Sequence, residues 1–342
     1  MKAVQVSRFA NTKLDQTHVS VAKDVALPTL NDDLSDLYVR VLACAFNAGD
    51  SRVMSGDLAL VLKPKAFPYI PGMDVCGVVE RVGAKCQRLK PGDRIIAGLR
   101  PLKHAGMAEY AVFDERFATK APTNMTAIQA ASLPIAGATA LKALEGARLQ
   151  PGAKVVVLGA SGGVGSLVVQ MVRNAGAEVV VGTSTNEEFV KSLGADQVIN
   201  YRTTKWYEVL EGQNFDAVID CVGEGESWNN CHRALASHGR YVAVSDSPDG
   251  TINGVTDLLG FIGRTLWRSL NPMTHTYVMV SCFPDGAQLT PLVQHAEEGK
   301  LKAVLDASSP YALTTEAVRS AIALQASHRA KGKLVVKIAD ES

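Results

Sequence analysis

Residues 154–165 read KVVVLGASGGVG, an apolar strand pattern that runs directly into a glycine-rich loop. Residues 166–175 then have the composition of a helix, and residues 178–181 form a second apolar run. This order of strand, loop, helix and strand, within about 30 residues, is the context in which a glycine loop predicts dinucleotide binding. Glycines permit the tight turn and let the backbone approach a pyrophosphate, whose charge the N–H groups at the helix N-terminus stabilise. The alternative is a glycine turn without a ligand.

Four more candidate strands follow along the chain, and helical stretches separate them. They are residues 197–199, 217–220, 240–244 and 277–280. Strands rich in Val and Ile that alternate with helices are typical of a parallel sheet covered on both faces. Six such strands predict a doubly wound α/β domain, a Rossmann domain, over residues 125–283.

The first third of the chain has a different pattern. Short β segments, broken by Gly and Pro, occur at residues 38–43, 75–82, 94–97 and 109–112. They predict a β-rich, partly barrel-like domain over residues 1–124. The last segment, residues 284–342, has helical patterns at 289–298 and 315–328 and strand patterns at 302–306 and 333–338. We expect this segment to return to the β-rich domain.

Composition excludes several classes of protein. The chain has 342 residues, 47% hydrophobic and 20% charged, enough for two domains with their own cores. Lys plus Arg (35) nearly balances Asp plus Glu (34), so nucleic-acid binding is not expected. The six cysteines form no CxxC pair, which is typical of a reducing compartment. We expect a cytoplasmic protein, since residues 1–6 resemble neither a secretory signal nor a transit peptide, although a trimmed import sequence would leave no trace.

The end of the second strand decides which dinucleotide is expected. An acidic residue there would bind the ribose 2′-hydroxyl of NAD, whereas residues 182–186 read GTSTN. Small neutral donors suit a 2′-phosphate, so the sequence predicts NADPH. Glu187 and Glu188 offer an NAD alternative, and Thr185 with Glu188 also fits a helix capping box.

Several motifs together carry a resemblance to a known family. They are the glycine loop, LGAD at 193–196, NYR at 200–202, DCVG at 220–223 and PGMD at 71–74. The whole chain resembles the medium-chain dehydrogenase/reductase superfamily and, within it, the zinc-free quinone oxidoreductase branch, with the reticulon-interacting mitochondrial oxidoreductases as the most similar subgroup. The resemblance implies that the β-rich domain is a GroES-like catalytic domain and that the protein forms a homodimer.

The resemblance also assigns cofactor contacts. Ser161, Gly162, Gly163 and Val164 would line the pyrophosphate, and Ser184 and Tyr201 would approach the adenosine phosphate. Val222, Gly223, Val244 and Ser245 would border the ribose and nicotinamide, with Thr139 near the nicotinamide. Lys331 and Lys333 would close over the cofactor, unless they belong to an ordinary solvated turn.

Zinc binding is not expected from the residues at the matching positions. Zinc alcohol dehydrogenases of the superfamily supply a Cys, a His and a further Cys to the catalytic metal, where this chain has Asn47, Met73 and Ile135. None of these side chains is a good zinc ligand. The four-cysteine lobe of a structural zinc is also absent.

The chemistry that the resemblance implies is hydride transfer from NADPH to a quinone or an α,β-unsaturated carbonyl. Such an acceptor needs no metal, because its conjugated oxygen takes up the negative charge. Asn47 and Asp50 match an Asn-x-x-Asp motif of the family. Asn47 would donate to a carbonyl oxygen, and Asp50 is either a structural residue or a proton relay.

The site departs from several quinone reductases of the family. They have tyrosines a few residues beyond this motif, roughly where this chain has Arg52 and Leu58. Tyr69 is the nearest phenol that could take their catalytic role, and ordinary packing is its alternative role. Solvent is another source of the proton that the reduction requires. The competing functions are a 2-enoyl thioester reductase and an NADPH-binding scaffold or sensor without turnover. A mixed apolar and basic helix at residues 256–270 suggests a lid, a subunit contact or contact with a membrane surface.

Overall fold

The computed structural model describes residues 1–10, 15–103, 105–223, 225–244, 252, 254–270 and 275–341. The chain divides into a β-rich unit, residues 1–138 with 283–342, and a parallel-sheet unit, residues 139–282. The first boundary lies after residue 138 and not after residue 124 as predicted, because a short helix at Ala127–Ala131 packs against strands of the β-rich unit. The second boundary lies within one residue of the predicted one.

The β-rich unit is built mainly of antiparallel strands. Its strands are β1 (Ala3–Val6), β2 (Val19–Ala22), β3 (Asp36–Ala45), β4 (Asp74–Val82), β5 (Arg94–Gly98), β6 (Tyr110–Asp114), β7 (Ala118–Lys120), β14 (Tyr311–Ala312) and β15 (Val335–Lys337). Its helices are α1 (Ala48–Ser55), α2 (Ala127–Ala131), α9 (Gly286–Glu297) and α10 (Thr315–Ala326), and α3 (Pro134–Ala147) contains the boundary. The main sheet has the order β14-β15-β3-β4-β5-β7, and β6 also pairs with β3.

The C-terminal segment joins this sheet. β15 pairs antiparallel with β3, Val336 lying opposite Cys44, and both residues are fully buried. The strand predicted at residues 302–306 is wrong, since that segment makes only an isolated bridge between Leu305 and Lys333. Helix α1, which directly follows Asn47, was not predicted.

The parallel-sheet unit alternates strands and helices. Its strands are β8 (Lys154–Leu158), β9 (Val179–Thr183), β10 (Gln197–Ile199), β11 (Phe215–Asp220), β12 (Leu235–Ala243) and β13 (Thr276–Met279). Its helices are α4 (Gly165–Asn174), α5 (Glu187–Ser192), α6 (Trp206–Val209), α7 (Gly225–Asn230) and α8 (Val255–Leu270). All pairings are parallel, in the order β10-β9-β8-β11-β12-β13.

This strand order is that of a doubly wound sheet, as predicted. The chain passes from β8 outward to β9 and β10, and then returns to β11 on the other side of β8. Central strands are apolar because both of their faces are covered, and Val155, Val156 and Val157 are fully buried. The carboxyl ends of β8 and β11 therefore flank the point where the strand order reverses, the usual ligand site of such sheets.

Helix α8 is the least covered element of this unit, since none of its residues is buried. Leu259, Leu266, Trp267 and Leu270 are each more than half exposed. In the part of the chain that the structure describes, no helix combines the length and apolar character needed to cross a membrane.

Candidate active and cofactor sites

The glycine loop after β8 has a backbone that tolerates no side chain at two positions. Gly159 has a φ of +72°, and a Cβ on Gly165 would lie 2.2 Å from the carbonyl oxygen of Gly159. The loop is tied to the end of β9, because the Gly159 N–H donates to Thr183 Oγ1 at 2.9 Å and the Ala160 N–H donates to the Thr183 carbonyl at 3.0 Å. These two hydrogen bonds hold the start of the loop against the end of β9.

The predicted pyrophosphate residues, Ser161 to Val164, lead directly into α4. Two first-turn N–H groups of α4 are already used, since Ser166 donates to the Gly162 carbonyl at 2.9 Å and Leu167 donates to the Val164 carbonyl at 3.0 Å. The helix dipole nevertheless makes this end positive. The narrow glycine cradle and this helix end together fit a dinucleotide pyrophosphate.

Two predicted residues follow the next strands at the same edge of the sheet. Ser184 follows β9 and is buried, and its Oγ accepts a hydrogen bond from the Asn186 N–H at 3.0 Å. Tyr201 follows β10 and is 52% exposed. Because α5 begins at Glu187 with Asn186 as N-cap, the capping box suggested for Thr185 and Glu188 is wrong.

Asp220, at the end of β11, fixes the turn that carries Val222 and Gly223. This carboxylate is 1% exposed and accepts hydrogen bonds from both turn N–H groups, at 2.8 and 2.9 Å, and from the Tyr241 hydroxyl at 2.6 Å. The motif at 220–223 contains Asp220 but does not by itself predict this role, although an acid before a turn is a general sign of it.

The other predicted cofactor residues are placed as follows. Val244 follows β12 and donates its N–H to the Asp220 carbonyl at 2.8 Å, which aligns the ends of β11 and β12. Ser245 lies outside the described residues. Thr139 is buried in α3.

Lys333 has a buried ammonium group in the β-rich unit. Its Nζ donates to the Phe46 carbonyl at 2.8 Å, to Asn47 Oδ1 at 2.6 Å and to Asp74 Oδ2 at 3.1 Å. An ammonium has three N–H donors, and these contacts use all three. The prediction that Lys333 closes over the cofactor is therefore wrong, and so is the alternative that Lys333 belongs to a solvated turn. Lys331, in contrast, is exposed.

Asp74 is the carboxylate partner of Lys333 and is fully buried. It also accepts hydrogen bonds from the Asn47 side-chain amide and from the Ile135 N–H, both at 2.9 Å. Burial raises the pKa of Asp74, and Lys333 with these donors opposes that rise. We call Lys333, Asp74, Asn47 and Asp50 the lysine cluster.

Asn47 is held inside this cluster. Its amide oxygen accepts from Lys333 and its amide nitrogen donates to Asp74, which fixes the orientation of the group. The predicted hydrogen bond from Asn47 to a substrate carbonyl would have to use the remaining amide hydrogen, so the structure assigns Asn47 first to the ion pair.

Asp50 completes the cluster in the first turn of α1. Its Oδ2 accepts a hydrogen bond from the Asn47 backbone N–H at 2.9 Å. Burial, reinforced by the Asp74 charge, raises the pKa of Asp50 to about 7 against the pull of the Asn47 hydrogen bonds. A carboxyl group with this pKa exchanges protons near neutral pH.

Asp50 and Tyr69 lie on one small, mostly apolar pocket of the β-rich unit. The pocket is lined by Asp50, Val53, Tyr69, Pro71, Gly72, Met73, Pro101 and Leu102. The Tyr69 hydroxyl is buried and has no hydrogen-bond partner among the described residues, and burial raises its pKa. An unsatisfied buried hydroxyl is costly, which makes it a candidate for binding a ligand oxygen.

The three positions matched to zinc ligands have other roles here. Asn47 binds Lys333, the Ile135 N–H binds Asp74, and Met73 lines the pocket. A buried ammonium among these groups does not fit a zinc ion, which needs thiolate, imidazole or carboxylate ligands free of such a pair. Within the described ranges, no three His, Cys, Asp or Glu side chains are grouped so that they could hold a metal ion.

Two family models match the chain. "Alcohol dehydrogenase GroES-like domain" matches residues 33–123, and "Zinc-binding dehydrogenase" matches residues 193–336. Together they cover parts of both units.

Curated relatives match over nearly the whole length. "Chloroplast envelope quinone oxidoreductase homolog" of Arabidopsis thaliana is 30% identical, over 98% of each chain. "NADPH-dependent alkenal/one oxidoreductase, chloroplastic" of the same plant is 29% identical over 93% of this chain and 75% of that protein. "NAD(P)H oxidoreductase RTN4IP1, mitochondrial" of Danio rerio, from the reticulon-interacting subgroup, is 29% identical over 93% and 87%.

A solved structure agrees with these relatives. The quinone oxidoreductase from Coxiella burnetii superposes with a TM-score of 0.79 and 26% identity over 99% of both chains. The expected combination of a GroES-like and a Rossmann domain is confirmed. The chain therefore belongs to the medium-chain dehydrogenase/reductase superfamily, and it is an oxidoreductase.

Proposed function

We propose that this protein reduces quinones or α,β-unsaturated carbonyls with NADPH and without zinc. The observation that carries the proposal is the lysine cluster, because its ion pair engages the Asn47 side chain and the Ile135 N–H, at two of the three positions that supply zinc ligands in relatives. A hydride acceptor at such a site must take up the negative charge on its own conjugated oxygen. Relatives named as quinone and alkenal/one oxidoreductases support this substrate class.

The cofactor is a pyridine nucleotide, which supplies a hydride when it is bound. The glycine loop and the α4 N-terminus would hold its pyrophosphate, and the Asp220-fixed turn would hold Val222 and Gly223 against its ribose and nicotinamide. Residues 182–186, at and just after the end of β9, include no acidic residue, and Glu187 is paired with Lys191 at 2.7 Å. This supports NADPH over NADH.

In the β-rich unit, the mostly apolar residues around Asp50 and Tyr69 would border the acceptor. Tyr69 is the group suited to donate a hydrogen bond to the acceptor's oxygen, since its own hydroxyl lacks a partner among the described residues. The ammonium of Lys333 holds Asn47 and Asp74 in place beside the pocket residue Met73.

The direct test follows the oxidation of NADPH by purified protein with a panel of quinones, alkenals, alkenones and a 2-enoyl thioester, with NADH in parallel. We expect quinone or enone reduction that prefers NADPH. Faster reduction of the thioester would favour the thioester reductase. Binding of NADPH without consumption of any acceptor would favour the scaffold or sensor and contradict the proposal.

Three further predictions concern the oligomeric state, a membrane contact and the cellular location of the protein. The homodimer, the contact of α8 with a membrane surface and the cytoplasmic location stay predictions. The relatives' chloroplastic and mitochondrial names make an organelle the alternative location. Cell fractionation distinguishes these compartments, and sedimentation of the purified protein tests the dimer.

A further inference from the structure

We propose that Tyr241 is a positioning residue for the nicotinamide half of the cofactor and that it acts through the carboxylate of Asp220. This inference rests on the proposed function, since it takes the glycine loop as the site of NADPH. It stands on the hydrogen bonds of Asp220 and on the order of the strands in the parallel-sheet unit. Tyr241 is 1% exposed, so it would act without lining the ligand site.

The two carboxylate oxygens of Asp220 have different partners. Oδ1 accepts the hydrogen bonds from the Val222 and Gly223 N–H groups, whereas Oδ2 accepts the one from the Tyr241 hydroxyl. Three donors around one carboxyl group favour its charged form. An O–H donor 2.6 Å from a carboxylate oxygen makes a short, charge-assisted hydrogen bond. Because it holds Oδ2, the Tyr241 hydroxyl fixes the rotation of the carboxylate and keeps Oδ1 directed at the turn.

Tyr241 is itself held in place by aromatic rings. Its ring stacks on Tyr277 with the centroids 6.1 Å apart, and Trp228 packs edge-on against both rings, at 5.3 and 4.9 Å. In the sheet, Asp220 lies opposite Ala243, two residues after Tyr241, so the Asp220 and Tyr241 side chains share one face. Burial and the Asp220 charge raise the pKa of Tyr241, so its hydroxyl stays protonated and is the donor.

The turn that Asp220 holds is packed on the glycine loop. A Cβ on Gly159 would lie 2.8 Å from Val222 Cγ2, so the Val222 side chain covers the first glycine of the loop. The Cys221 N–H donates to the Leu158 carbonyl at 3.1 Å, which ties the start of the turn to the end of β8. A shift of the turn would therefore change the surface directly beside the predicted pyrophosphate site.

The order of the strands assigns the turn to one half of the cofactor. A dinucleotide binds across the point where the strand order reverses, and the end of the second strand meets the ribose of its adenosine half. That second strand is β9, and β9 and β11 lie on opposite sides of β8. The turn after β11 is therefore on the side of the nicotinamide half.

Loss of the Tyr241 hydroxyl should weaken binding of the nicotinamide half and spare the adenosine half. In Tyr241→Phe the buried Asp220 Oδ2 loses its hydroxyl donor, which is costly, and the carboxylate can turn away from the two N–H groups to find another. The phenyl ring that remains can keep the packing against Tyr277 and Trp228. The change therefore acts on the turn and not on the end of β9.

The experiment measures the dissociation constants of NADP⁺ and of adenosine 2′,5′-diphosphate by titration calorimetry. The second ligand contains the adenosine half and lacks the nicotinamide and its ribose. For Tyr241→Phe we expect NADP⁺ to bind about tenfold more weakly, with adenosine 2′,5′-diphosphate within about twofold of wild type. The control Tyr277→Phe removes the hydroxyl of the stacked ring, which donates to Met279 Sδ at 3.8 Å, and should bind both ligands like wild type.

A double variant tests whether Tyr241 acts through Asp220. Asp220→Asn keeps an oxygen for the turn N–H groups but removes the charge, and it should bind NADP⁺ more weakly because a neutral acceptor makes weaker hydrogen bonds. If the hydroxyl acts through the carboxylate, the two substitutions are coupled, and the double variant should bind NADP⁺ like the weaker of the single variants. Losses that multiply would overturn the inference.

The outcomes separate this inference from the proposed function. If wild type binds neither ligand, the proposed function fails and the inference with it. If wild type binds both ligands, and Tyr241→Phe keeps its affinity for NADP⁺ or loses affinity for both alike, the inference alone is overturned. Should Tyr241→Phe not fold, Asp220→Asn decides with the same ligands: unless it weakens NADP⁺ and spares adenosine 2′,5′-diphosphate, the inference is overturned.

Discussion

Lys333 shows how one residue can hold a site together from the far end of the chain. Replacing it with Met removes the cation from a fully buried Asp74. Breaking a buried pair from one side typically costs about 3–5 kcal/mol, because the remaining charge has no compensation. We expect the free energy of unfolding of Lys333→Met to fall by this amount in urea denaturation. The exposed Lys331→Met is the control and should unfold like wild type, and equal midpoints for all three would contradict the ion pair.

Asp50 should make stability depend on pH in the opposite sense from an ordinary surface acid. Its pKa is about 7 in the folded state and about 3.9 in an unfolded chain, so the folded state holds an extra proton between these values. Stability from this group is therefore lost as pH rises through the window, by at most about 1.4 kcal/mol per pH unit. Urea midpoints at several pH values should decline more steeply for wild type than for Asp50→Asn. Parallel curves would show that folding does not raise the pKa of Asp50.

At the scale of elements, the join between β8 and α4 is the most constrained part of the parallel-sheet unit. In Gly165→Ala the new methyl group would overlap the Gly159 carbonyl, so the start of α4 must move. We expect dinucleotide affinity to fall at least tenfold, measured by fluorescence titration. The control Gly263→Ala changes a helical glycine in α8 with open space around it and should stabilise the helix by about 0.5–1 kcal/mol. Unchanged affinity in Gly165→Ala would contradict the role of the loop.

Elements with a strong local pattern could be predicted from the sequence. β8 and β10 have the predicted bounds, since a Val- and Ile-rich run between turn residues has few other options. The segment at residues 302–306 has a similar run but makes only an isolated bridge. A local sequence pattern does not show which segments will pair as strands. The site shows the same limit, because Lys333 meets Asp74 and Asn47 across 259 and 286 residues of chain. Only the folded sheet, with β15 beside β3, brings them together.

At the scale of the whole molecule, the two units can be observed separately because the three tryptophans, Trp206, Trp228 and Trp267, all belong to the parallel-sheet unit. A ligand that binds only the folded state stabilises it by about 2.7 kcal/mol at 100 times its dissociation constant. We therefore expect NADP⁺ at this level to raise the midpoint of the tryptophan fluorescence transition in urea.

NAD⁺ at the same concentration should raise that midpoint less, because residues 182–186 offer no carboxylate to its ribose hydroxyl. A larger shift with NAD⁺ would reverse the predicted cofactor preference. A shift with neither nucleotide would remove the glycine loop as a binding site, and the proposed reductase with it. The measurement needs no acceptor, so it tests the cofactor half of the proposal independently of the pocket around Asp50 and Tyr69.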